Sequence, residues 1–150
     1  MTDRKSEFLS ELNMKDTIHP RYIQLLSPLG FYSSLLKTEI WVPTDFVCDK
    51  ESVPVIEGTS IRGGVFHDYL SRYDSFPCVE KFIAADVYLE VMKTRDKQAV
   101  THFNYGIIKQ FKMAFRRDLK YTVVRWWPGY FHKLPVKATL EQILIINHRL

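Results

Sequence analysis

Thr59-Ser60-Ile61-Arg62-Gly63-Gly64-Val65-Phe66-His67-Asp68-Tyr69-Leu70-Ser71-Arg72-Tyr73 is the stretch at which the chain changes character. Val65, Phe66, Tyr69, Leu70 and Tyr73 fall on one stripe at helical spacing, and Thr59 or Ser60 can cap the helix they imply. Upstream the apolar pieces are short and punctuated by Pro and Gly, the pattern of strands. The stretch therefore divides a strand-rich half from a helical half. It predicts an α+β fold, a small antiparallel sheet followed by a mainly helical part.

Upstream of it, residues 22–26 read as one strand. A second begins at Phe31-Tyr32, after a turn marked by Pro28 and Gly30. A third spans residues 39–42 and stops at Pro43, and a brief fourth falls at Phe46-Val47. Residues 48–59 have no strong periodicity and read as a loop. At the front, Ser6 can cap a short amphipathic helix carrying Phe8, Leu9 and Leu12, which makes residues 1–19 an arm outside the main domain, broken at His19-Pro20.

Downstream, Pro77 opens a helix over residues 78–93 with Val79, Phe82, Ile83, Leu89 and Met92 on its stripe. Asp96 can cap a third helix over residues 97–124, with Val100, Phe103, Ile107, Ile108, Phe111 and Phe115 inward and Gly106 as a weak point. Trp126-Trp127-Pro128-Gly129 ends it. The main domain then spans residues 20–127. Residues 128–150 form a tail whose Leu140, Ile143, Leu144 and Ile146 need a surface to dock on, the domain's own or a partner's.

With 150 residues, 46% of them hydrophobic and 25% charged, the chain has enough apolar surface to fold without disulfide staples. Its apolar runs fall well short of the ~20 residues that span a bilayer. The polar first residues do not read as a signal peptide, so synthesis and folding in a cytoplasm are expected. Cys48 and Cys78 are then expected as free thiols, and their spacing suits no zinc site. The net charge of +4 is densest at Lys109, Lys112, Arg116, Arg117 and Lys120. That face is either solvated or a surface for phosphate, acidic lipid headgroups or nucleic acid. Nucleic acid ranks last, since one basic helix face is common.

Asp86 is the anomaly of the helical half. At about 100° per residue it falls near the centre of its helix's apolar stripe, and an ionised carboxylate is costly to bury alone. It calls for a partner: a histidine, an arginine, a tyrosine hydroxyl or a metal, with a core salt bridge or helix-capping bond as the structural reading and His67 on the preceding helix as the candidate for chemistry. An imidazole held by a carboxylate through one nitrogen leaves the other free to take a proton from water. Asp68 points about 100° away from His67 and can, with loop oxygens, hold a hard cation.

Two resemblances follow. Val42-Pro43, Phe46, Asp49, Ser52-Val53-Pro54, then His67-Asp68-Tyr69-Leu70, then Ala85-Asp86 with Leu89 and Met92, resemble the phage- and prophage-associated domain-of-unknown-function family 1353 over residues 22–124. That resemblance implies a bacteriophage source and names no activity. The loop with Asp49 and Ser52, a helix carrying His-Asp and an aspartate in the next helix are also similar to the short secreted phospholipases A2 of bacteria and fungi. This second resemblance implies His67 as general base, Asp86 as its orienting partner, Asp68 and Asp49 as ligands of Ca²⁺, and carbonyls from residues 49–54. The chain departs from the phospholipase pattern at Ser71, where an aromatic is expected, in a loop that is not glycine-rich, and in lacking that family's disulfides.

Two functions are expected from these readings. The first is a virion-associated part, in a phage tail or neck, docking on other virion proteins and keeping the phospholipase-like helix pair as scaffold. The second is a Ca²⁺-dependent hydrolase of lipid or another ester, working at a membrane surface when the phage penetrates or lyses its host. The aromatic cluster at residues 126–131 suits a contact with protein or membrane, or simple packing at a helix end.

Overall fold

A computed structural model describes residues 3–18, 22–49 and 61–126. It is an α+β fold with nine elements among the described residues: β1 (Glu7–Phe8), β2 (Met14–Asp16), β3 (Tyr22–Leu25), β4 (Leu29–Ser33), β5 (Thr38–Val42), β6 (Val47–Asp49), α1 (Ile61–Leu70), α2 (Lys81–Phe103) and α3 (Ile107–Trp126). The strands form two antiparallel three-stranded sheets, β1-β4-β5 and β2-β3-β6, rather than one.

Period-two alternation explains which side of each strand is buried. Ile23 and Leu25 of β3 and Ile40 and Val42 of β5 are fully buried, while Glu39 and Trp41, which alternate with the latter two, face out. On β4, Leu29 and Phe31 point inward and Gly30 lies opposite Trp41. A Cβ on Gly30 would meet the Trp41 ring at 2.5 Å, so glycine is what lets the indole lie flat across the strand. Gly30 therefore belongs to the strand and not to the turn before it.

The core lies between the sheets and the first two helices. Phe31 meets Phe66 of α1 at 5.5 Å between ring centroids, and Phe46 meets Tyr69 edge-on at 5.8 Å. Ala84, Val87 and Val91 of α2 join the same cluster. Burying each of the large side chains here contributes about 1.5–3 kcal/mol. A second, smaller cluster of Ala85, Tyr88, Met92 and Val124 joins α2 to α3.

Three sequence expectations change. Residues 7–16 are not an amphipathic helix: β1 pairs with β4 and β2 with β3, so partners distant in sequence override a weak local helical pattern. The break expected at Lys93–Asp96 does not occur. No Gly or Pro interrupts residues 81–103, and α2 runs on to Asn104, whose left-handed backbone (φ 50°) closes it before Gly106. Asp96 is buried within that helix, not at a cap. The tail at residues 128–150 lies outside the described residues. Among those described, no helix is long and apolar enough to cross a membrane.

Candidate functional site

The four residues expected to carry chemistry lie on three elements. On α1, Val65, Phe66, Tyr69 and Leu70 are buried, and His67 is buried with them. Gly63 sits one turn earlier and lets α2 come close: a Cβ there would meet Tyr88 at 2.7 Å and Met92 at 3.2 Å. The His67 ring packs against Tyr88 with centroids 5.6 Å apart, inside this α1–α2 contact. Its Nδ1 is 3.7 Å from Asp68 Oδ1, beyond hydrogen-bonding distance.

Asp86 faces elsewhere. Its Oδ1 accepts a 2.6 Å hydrogen bond from the Tyr121 hydroxyl and a short one from Arg125 Nη1, and Arg125 also donates to the Tyr121 oxygen at 3.0 Å. The guanidinium stacks 5.0 Å from the Phe82 ring centroid, and Phe82 meets Trp126 at 5.7 Å. Among the described residues no hydrogen bond joins His67 to Asp86. The reason is the helix period: Asp86 and Tyr88 stand about 200° apart around α2, so with Tyr88 over His67 the carboxylate turns towards α3. Asp86 thus has, among its expected partners, the structural ion pair and a tyrosine hydroxyl.

Asp68 is also buried, beside Arg72 one turn on. Burial lowers the Arg72 pKa, and the charge of Asp68 is the first of those that oppose it. Asp49 ends β6, its backbone opposite Tyr22; its side chain, and the loop that follows it, lie outside the described part. A calcium ion takes six to eight oxygens. Among the described residues no three His, Cys, Asp or Glu side chains converge, and Asp68 already neighbours a cation. What these residues hold together is a helix pair and a clamp between α2 and α3.

The clamp has a second half. Asp96 pairs with Arg117 at 3.4 Å, antiparallel to the Asp86–Arg125 contact. Burial raises the Asp96 pKa, opposed by Arg117 and Arg95. Between the two ion pairs, α3 applies to α2 a face bearing Lys120, Tyr121 and Val124.

That leaves the other face of α3 outward, which reverses the sequence expectation for it. Ile107, Ile108, Phe111 and Phe115 are 84%, 75%, 73% and 63% exposed, and Phe103 is exposed as well. Ile108, Phe111, Phe115, Leu119 and Trp126 fall within about 80° of arc, with Lys109, Lys112 and Arg116 along one flank. The signal was present in the sequence as two competing stripes. The more apolar one predicts burial, whereas ion pairing draws the more polar one inward.

Comparisons with family models, with curated proteins and with solved structures find no match. The two resemblances stand on their motif residues alone.

Proposed function

We propose that this chain is a binding component of a larger assembly, a virion-associated part in the setting that the family resemblance implies, and that α3 is its docking element. The observation that carries the reading is the aromatic stripe Ile108, Phe111, Phe115, Leu119 and Trp126, exposed on a helix that two ion pairs fix by its opposite face. Helix-in-groove recognition uses such i, i+3, i+4 anchors. The occupant is a partner protein with an apolar groove and an acidic rim, because Lys109, Lys112 and Arg116 run beside the anchors with no acid between them. A second copy of the chain would bring the same basic flank and repel.

The test is a photo-crosslinking residue in place of Phe115, in cells that make the native assembly. The expected adduct is one partner protein with an acidic surface at the crosslink, lost when Phe111→Glu is added. Adducts to lipid, or to a second copy, would overturn this choice of occupant. Ester hydrolysis that is lost in His67→Ala, with the fold retained, would put the calcium-dependent hydrolase in its place.

A further inference from the structure

Where the N-terminal segment crosses the β4–β5 turn and meets α2, the surface forms a cleft of about 630 Å³. That is the size of a small-molecule site. Lys5 comes to it from the N-terminal segment, Lys37 from the turn, and Lys93 and Lys97 from α2. These residues are up to 92 positions apart in the chain, so only the fold collects them.

The acids that would ordinarily neutralise such a cluster are committed elsewhere. Glu7 and Glu39 both pair with Arg4, at 2.8 and 3.1 Å. Glu90 takes the hydroxyls of Ser6, Ser33 and Ser34 and the backbone N–H of Leu35. Among the described residues the ammonium groups of the four lysines make no ion pair or hydrogen bond, and the lining offers one carboxylate against them, Asp3. Stability does not explain the arrangement. Lys93 and Lys97 are like charges at i, i+4, which costs a few tenths of a kcal/mol. Lys37 has φ 53°, a left-handed conformation that costs a non-glycine residue roughly 1 kcal/mol.

We propose that this cleft binds a compact oligophosphate, a ligand carrying several phosphate charges within the reach of four ammonium groups. Hydroxyls lining the cleft already donate inward, Ser6 and Ser34 to Glu90 and Thr94 to the backbone carbonyl of Glu90 at 2.9 Å. Recognition therefore falls to the lysines, which read charge and do not impose the planar fork of arginine. A nucleobase finds no open platform on Tyr32, because the Arg4 guanidinium covers that ring at 4.1 Å. This favours a phosphate chain over a nucleic-acid strand. The inference uses none of the residues of the α3 stripe and is independent of the docking reading.

The experiment is calorimetric titration of the full chain with sodium tripolyphosphate. Three proteins are compared: wild type, Lys93→Gln/Lys97→Gln, and the control pair Lys15→Gln/Lys81→Gln, which lies outside the cleft. None of the four positions is buried, so circular dichroism should report unchanged folds. Saturable one-site binding at sub-millimolar concentration is expected, weakened at least tenfold in the α2 pair and less than twofold in the control. Equal weakening in both pairs would reduce the effect to general basicity and overturn the proposal. So would the absence of saturable heat at millimolar ligand. Duplex DNA that binds more tightly than tripolyphosphate, and loses as much from the α2 pair, would overturn it in favour of nucleic acid.

Discussion

If Asp86 belongs to α3 and not to His67, thermodynamic coupling will show it. The perturbations are Asp86→Ala, Tyr121→Phe and His67→Ala, alone and in pairs with Asp86→Ala. Tyr121→Phe removes one hydroxyl and keeps the ring. The hydrogen bond it deletes, 2.6 Å to a carboxylate, belongs to a class worth about 1.5–3 kcal/mol. The Asp86 and Arg125 side chains are 32% and 27% exposed, so solvent screens the site and Arg125 still serves the carboxylate after the mutation. A coupling energy of about 1 kcal/mol between Asp86 and Tyr121 follows. His67 and Asp86 share no bond, so their effects should add within about 0.5 kcal/mol. Urea unfolding followed at 222 nm gives all six stabilities. Coupling above that limit for His67 with Asp86, and none for Tyr121 with Asp86, would refute the assignment and return the aspartate to the histidine.

The adjacent glycines of α1 should respond oppositely to alanine. Gly64 has nothing within 4 Å of an added Cβ, so Gly64→Ala should stabilise by up to about 1 kcal/mol through helix propensity, while Gly63→Ala meets Tyr88 and Met92 and should lose about 1 kcal/mol net. Denaturant midpoints of the two variants, on either side of wild type, are the readout. At Asp96 the folded state holds the carboxyl above its ordinary pKa, chiefly by burial, so the folded protein binds this proton more tightly than the unfolded chain. That penalty is in force above the raised value and disappears as pH falls through it towards the ordinary carboxylate range. Relative to Asp96→Asn, wild type should therefore gain stability as pH is lowered through this window, which denaturation at a series of pH values will measure.

Much of the fold could be read from the chain. The core strands are legible as short apolar runs bounded by Pro28, Gly30 and Pro43, and α1 through its stripe. Less visible was anything fixed by a distant partner. Glu7–Phe8 is a strand only because Phe31 and Tyr32 lie beside it. Asp96 looked like a cap because nothing nearby in sequence announces Arg117, which lies 21 residues on. At the candidate site, sequence correctly marked Asp86 as a residue needing a partner. It could not choose between His67 on one side of α2 and Tyr121 with Arg125 on the other, since that choice depends on the rotation of α2 between its two neighbours.

The ten residues from Glu7 to Asp16 supply an outer strand to each sheet, β1 beside β4 and β2 beside β3. Both receiving strands are the middle members of their sheets. Taking this segment away would not leave a trimmed monomer. It would bare two rows of unpaired backbone N–H and C=O groups at once, on strands whose other sides are already paired. Such edges are templates for further strands, so a version of the chain starting after residue 18 should self-associate and precipitate more readily than the full chain. The segment that looked most like a dispensable arm is the one that keeps the sheets from recruiting one another.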